Sequence, residues 1–288
     1  MSTNIVVKGY KITHQIDQSG LRTVYNALHL KSGKDVFMTV ISVRPGRDLN
    51  TLKKRAALSK KLPLPTLLTA LDYGVLPNNQ FYYTHQAIAS LPIKRVLEEI
   101  KDPTEYLFKS ISFFMDALEV ISYLHTAQVT HRDLNTAQLR ISNSNLLVVE
   151  NFINARPKLE TRDIANIVYL PYISPEQLMG APADRKTDIY SMGVILHELI
   201  TGKLPYSSNY TKIEDAKNGI TPSPSKFAKD LPNELEKIIM KALSPRSSRY
   251  AHVRPWIEDL EQLYSKRSFR MKLKDFSTTI KGIFFLKN

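Results

Sequence analysis

Between Thr130 and Ala155 the chain reads THRDLNTAQLRISNSNLLVVENFINA, and this stretch concentrates the residues best able to do chemistry. Asp133 directly follows His131 and Arg132, so a carboxylate able to serve as base sits beside two basic side chains. Several neighbouring polar positions are amides, Asn135, Gln138 and Asn151, with a further carboxylate at Glu150. An amide has nearly the shape of a carboxylate, but it is neutral and does little to offset the dehydration that Mg²⁺ resists. Other catalytic classes find no support. Cysteine is absent, which excludes thiolate nucleophiles, thiolate metal sites and disulfides. The seven His residues are scattered without HExxH or similar ligand spacing, and they read as structural or surface groups.

The elements that must position Asp133 are legible on both sides of it. From Tyr10 to Tyr83 the pattern is short and β-rich. TVYNALHL and KDVFMTVISV flank the turn KSGK as a hairpin, and strands around LTALDYGVL and QFYYTHQAI flank PNN. The stretch LNTLKKRAALSKKL between them predicts a helix stopped by Pro63 and Pro65. From Ile93 onward helical periodicity takes over, in EYLFKSISFFMDALEVISYLH and TDIYSMGVILHELITG. The composition shift at Ala87 to Pro92 predicts a hinge between two lobes, and GITPSPSKFAKDLP reads as a surface loop between helices.

Composition sets outer bounds. The 288 residues, 43% hydrophobic and 23% charged, describe a folded globular chain large enough for one big domain or two lobes. The start, MSTNIVVKGYKITHQ, lacks the basic and apolar regions of a signal peptide, and no run of about 18 apolar residues exists. The expected compartment is the cytoplasm. A net charge of +13 either attracts nucleic acid, anionic lipid or an acidic partner, or is a general surface bias.

Several segments in order resemble a eukaryotic-type Ser/Thr protein kinase of the sort also common in bacteria. YLHTAQVTHRDL resembles that family's helix and catalytic loop, YISPEQ its APE-type segment, and TDIYSMGVILHELITGKLPY the long helix that follows. The resemblance runs from Tyr10 to about Tyr264 and implies an α+β bilobal protein kinase-like fold. It places a β-rich N-lobe at 1–88 and a helical C-lobe at 89–265, and a basic tail at 266–288 lies beyond it.

The resemblance also assigns an address to each part of the phosphoryl-transfer machinery, and many addresses are altered. Aligned on Val24, the three glycine positions of the phosphate loop hold Asp17, Ser19 and Arg22, with Gly20 displaced by one. The strand lysine is replaced by Thr39, and its helix glutamate partner by Arg55. In the catalytic loop His131, Arg132 and Asp133 match the family, with Asp133 at the base position, but Asn135 stands for the loop lysine and Gln138 for a metal-binding asparagine. The metal-binding DFG segment aligns with Asn151, Phe152 and Ile153, where Phe152 keeps a packing role and Glu150 lies beside a neutral Asn151. Val168 and Tyr169 take the place of the small pair that contacts substrate. Glu176 and Arg249 match a buried ion pair, and Asp188 matches a buried carboxylate that accepts loop N–H groups; these, with Trp256, are architectural.

The resemblance thus implies a pseudokinase: a regulatory or scaffolding module with no metal and no cofactor, and Asp133 as a retained but vestigial catalytic aspartate. The partner is a protein, such as an active kinase or another signalling enzyme. The alternative is an active or atypical Ser/Thr kinase with a rearranged Mg-ATP site that uses Asp133 as base and draws on Arg55 or Glu150. A nucleic-acid binder rests on charge alone. In the tail, Phe269, Leu273, Phe276, Ile280 and Ile283 recur at helical spacing among Lys266, Arg267, Arg270, Lys272, Lys274 and Lys281. This basic amphipathic pattern either packs on the helical lobe or docks on a partner groove or anionic membrane surface.

Overall fold

The computed structural model describes residues 5–43, 49–62, 64–150, 156–157, 170–206, 215 and 220–265, with Ser19, Arg156, Pro157 and Leu170 as backbone only. Asn151, Phe152, Val168, Tyr169 and the tail from Lys266 lie outside the described residues. The chain divides into two compact units, one up to Ser90 that also takes in Glu150, the other from Leu91 onward.

Among the described residues, the first unit is a five-stranded antiparallel sheet and one helix. Strands β1 (Tyr10–Ser19), β2 (Arg22–His29), β3 (Lys34–Ser42), β4 (Asp72–Leu76) and β5 (Gln80–Gln86) lie in the order β1-β2-β3-β5-β4. Turn chemistry fixes the hairpins: Gly33 takes a φ of +66° between β2 and β3, and Asn78 and Asn79 take +60° and +55° between β4 and β5. The edge strand β1 is irregular, with register shifts between Ile12 and His14 and between Gln15 and Asp17, which disrupt the row of groups that another strand would need.

Period-2 alternation splits β3 between two faces. Val36, Met38 and Val40 enter one cluster with Val7 and Ala27, while Ile41 enters another with Leu52 and Ala56 of helix α1 (Leu49–Lys60) and with Phe81 and Tyr83. The helix ends where Ser59 Oγ accepts the Ala70 N–H at 2.9 Å, tying it to the chain that leads into β4.

The second unit is helical with short strands. After the short strand β6 (Ser90–Pro92), α2 (Ile93–Glu98) leads to α3 (Pro103–Thr126). Asp102 caps α3 by accepting the Glu105 N–H at 2.7 Å, with Pro103 at the first helical position. Strand β7 (Val129–Thr130) pairs with β10 (Arg156–Pro157), and β8 (Leu139–Ser142) with β9 (Leu147–Val149). Among the described residues, three longer helices follow the single turn α4 (Pro175–Leu178): α5 (Arg185–Thr201), α6 (Asn233–Leu243) and α7 (Arg254–Ser265). No helix of the described residues is long and apolar enough to cross a membrane.

Helix α5 is the axis of this unit, with every residue from Thr187 to Thr201 buried. A capping box of Asp184 and Thr187 starts it, and Gly202 at a φ of +69° ends it. Gly193 lets α6 approach closely, because a Cβ there would lie 3.0 Å from Ala242 and Leu243 side-chain atoms. Trp256 of α7 is fully buried, stacked on Tyr250 with centroids 5.4 Å apart and tilted against Phe114 of α3 at 5.3 Å.

The Glu176–Arg249 pair is in place. Arg249 Nη1 lies 2.6 Å from Glu176 Oε1 and Nη2 3.3 Å from Oε2, with both side chains buried. Arg249 also donates to the carbonyls of Lys186 and Ser244, so one guanidinium ties three segments together. Removing one partner strands a buried charge. Glu176→Ala is therefore expected to lose about 3–5 kcal/mol of stability, read as a lowered denaturant midpoint.

A second consequence concerns acid. His197 near the end of α5 is fully buried, and its Nδ1–H donates to the Lys203 carbonyl at 2.9 Å. Burial drives its imidazole down from 6.5 to about 4. The folded state thus keeps His197 neutral while the unfolded chain takes up a proton below pH 6.5. Stability is full above pH 6.5 and falls as pH drops toward 4, by about 2 kcal/mol at pH 5 from this residue. Urea unfolding at pH 7 and pH 5 tests this, and the difference between the two should shrink in His197→Gln.

Candidate functional site

The catalytic-loop segment is built around Asp188, in the first turn of α5 and fully buried. Its Oδ2 accepts the His131 N–H at 2.8 Å and its Oδ1 the Arg132 N–H at 2.8 Å. His125, in the last turn of α3, places Nε2 2.9 Å from Oδ2, and since an ionised carboxylate only accepts, that nitrogen carries the proton. Burial pushes the Asp188 carboxyl up, but the His125 hydrogen bond and charge, the His131 ring and the Arg132 amide outweigh it, so the group sits below the usual carboxylate range.

These bonds hold a backbone conformation that would not persist alone. Arg132 sits at a φ of +71°, in the left-handed region that L side chains rarely adopt. Its N–H is taken by Asp188, and its carbonyl accepts from the Gln177 side chain at 3.3 Å. Asp133 follows, half-buried, with its N–H directed at His131 Nδ1 at 3.4 Å. His131 and Arg132 thus act here as framework.

Asn135, 1% exposed, is consumed by the same loop. Its Nδ2 donates to the Asp133 carbonyl at 3.2 Å and its Oδ1 accepts the Ala137 N–H at 3.0 Å, so both ends of the amide close a local turn. Gln138 is buried beyond it, its N–H bonded to the Asn135 carbonyl at 3.1 Å. A polar relay continues from Thr136. Its hydroxyl lies 3.2 Å from the Tyr172 hydroxyl, which donates to Glu198, whose other oxygen receives Lys94 at 2.8 Å. Burial, and then the Glu198 charge, raise the Tyr172 phenol far above its ordinary range, which keeps it a donor. Tyr172, Glu198 and Lys94 were invisible to motif reading, because their partners lie 36, 26 and 104 residues apart.

In the first unit, β1 and β2 are paired to the tip, Asp17 opposite Val24 and Ser19 opposite Arg22, which leaves only Gly20 and Leu21 as the turn. Gly20 takes a φ of +55° there. Thr39, on β3 between Val24 and Tyr83, is fully buried, and its Oγ1 has no hydrogen-bond partner among the described residues. Arg55 is 4% exposed on the inner side of α1. Glu150 is half-buried just past β9.

A model of the protein kinase domain matches residues 10–258. The chain belongs to the protein kinase domain family. Its similarity to bacterial serine/threonine-protein kinases supports the eukaryotic-type bacterial branch and the α+β bilobal fold. It is 24% identical over 275 residues to a probable serine/threonine-protein kinase of Clostridium acetobutylicum, covering 91% of this chain and 41% of that protein. It is 25% identical over 249 residues to the serine/threonine-protein kinase PknB of Mycolicibacterium smegmatis, covering 82% of this chain and 39% of PknB. With PknD of Chlamydia abortus it shares 27% identity over 292 residues, covering 88% and 31%. The kinase-like chain thus spans about two fifths or less of the length of these relatives.

The Asn135 turn generates its own expectation. Asn135→Ala leaves the Ala137 N–H and the Asp133 carbonyl without their partner. A loss of about 1–3 kcal/mol should follow, measured by thermal or denaturant unfolding.

Proposed function

We propose that this kinase-fold chain is a pseudokinase, a regulatory or scaffolding module that binds a protein partner and does not transfer phosphate from Mg-ATP. The reading is carried by Asn135. The catalytic loop is fully assembled, yet the position that the resemblance gives to a lysine holds a buried neutral amide committed at both ends to the loop backbone.

The residues present do not fit Mg-ATP. Thr39 brings a buried hydroxyl in place of a cation, and Gln138, a longer and buried side chain, stands in place of the family's metal-binding asparagine. Transfer of a phosphoryl group depends on positioned positive charge. Loss of a single preorganised charge-stabilising group typically costs about 10²–10³ in rate. Here several are altered together, and although such losses are not additive, one alone takes a kinase of about 1–100 s⁻¹ to about 1 s⁻¹ or less.

What remains serves packing and display. The Asp188 hub and the Glu176–Arg249 pair keep the second unit rigid, which suits a module that presents a fixed surface to an active kinase or another signalling enzyme, in the cytoplasm or at a membrane. One observation favours the second reading, an atypical Ser/Thr kinase: Asp133 is half-exposed in a loop whose backbone bonds are intact.

A titration with ATP, with and without Mg²⁺ or Mn²⁺, separates the two readings. A ligand at about 100 times its Kd stabilises by about 2.7 kcal/mol, a readable rise in melting temperature. No metal-dependent shift is expected, and no autophosphorylation. Stoichiometric autophosphorylation that disappears in Asp133→Ala would overturn the pseudokinase reading in favour of the atypical enzyme.

A further inference from the structure

A small cavity opens beside the catalytic loop, lined by His125, Gln128, Val129, Thr130 and Arg185. The end of α3, strand β7 and the first residue of α5 build it, all within the second unit. Its inner volume is about 20 Å³, room for a single water-sized group. His125 joins it to the Asp188 hub.

The His125 side chain is only 8% exposed, so its polar atoms need partners. Its Nε2–H is taken by Asp188, which is fully buried and does not line the cavity. Nδ1, on the other edge of the ring, is closed off from bulk water and has no hydrogen-bond partner among the described residues. Such an atom costs stability until something pairs with it, and an occupant of the cavity would do so. Arg185 supplies charge at the same place. It is half-buried, donates through Nη1 to His252 Nδ1, and joins no ion pair among the described residues. The neighbouring Asp184 is already held by Arg246, and no carboxylate lines the cavity.

We infer that this cavity binds a single carboxylate group, with one oxygen against His125 Nδ1 and the other facing the Arg185 guanidinium. In the bound state the imidazole carries a proton on each nitrogen and donates to Asp188 on one side and to the ligand on the other. A water alone would satisfy Nδ1 but leave the Arg185 charge without a counter-ion. A phosphate fits less well, because the inner space admits one oxygen and not a tetrahedral group, and the lining holds one full cation and no second. The planar fork of an arginine matches a carboxylate. That group comes either from an acidic side chain of a protein or from a free small carboxylate, and both present the same two oxygens. The site is separate from phosphate transfer and stands on either reading of the catalytic loop.

The test follows the His125 ring nitrogens by ¹⁵N NMR in the full chain, the ring being recognised by the exchange-protected Nε2–H that it gives to Asp188. Sodium acetate and the blocked peptide acetyl-Gly-Glu-Gly-amide should each shift the Nδ1 resonance saturably at constant ionic strength. Sodium chloride, inorganic phosphate and acetyl-Gly-Gln-Gly-amide should not. Tighter binding of the peptide assigns the site to an acidic side chain, and tighter binding of acetate to a free carboxylate. Arg185→Gln removes a charge-assisted hydrogen bond and should weaken both at least about tenfold, with an unchanged melting temperature. The proposal is overturned if neither carboxylate moves Nδ1, or if chloride, phosphate or the Gln peptide moves it equally. It is equally overturned if the folded Arg185→Gln variant binds like wild type, or if crystals grown in acetate hold only a water in the cavity.

Discussion

Asp188 carries an ionised carboxylate into the centre of the second unit, and a buried charge of this kind persists only if hydrogen bonds replace the water it has lost. The engagement is specific: two successive backbone N–H groups from His131 and Arg132 and one imidazole from His125. The end of α3 and the loop just after it thereby meet a group 56 to 63 residues further along the chain. The left-handed turn at Arg132 exists because Asp188 takes its N–H, and the loop that presents Asp133 follows from that turn. Helix α5 places the carboxylate, and it is capped and buried on all sides so that it has little freedom to move.

Around this hub sit residues that pack, and two positions that the kinase resemblance gives to lysine, 39 and 135, hold neutral side chains. Glu176, Arg249 and Trp256 sit in the interior with their partners satisfied or stacked. Thr39 and Asn135 are both buried. Asn135 illustrates why such a change is compatible with the fold: its short amide supplies one donor and one acceptor at the spacing the loop backbone needs. A framework can thus be stabilised by a residue that offers nothing outward.

In the first unit helical geometry alone separates two roles of one element. Helix α1 contributes to the core through Leu52 and Ala56 while presenting Lys53, Lys54 and Lys60 to solvent.

What the sequence determined by itself was local or compositional. Turn residues placed the hairpins at KSGK and PNN, helical periodicity gave α3 and α5 within a few residues, and the order of HRDL, SPEQ and the α5 segment identified the kinase fold. The residue types at 39, 135 and 138 were equally plain. Tertiary structure alone decided what those residues touch. Nothing in the spacing announces that Asn135 closes its own loop, or that Thr136, Tyr172, Glu198 and Lys94 form one relay, because the last of these contacts joins residues 104 positions apart. Periodicity and propensity act over a few residues and survive in the sequence as pattern. The pairing of a buried donor with its acceptor depends on how distant helices and loops pack, and that information appears only when the chain has folded.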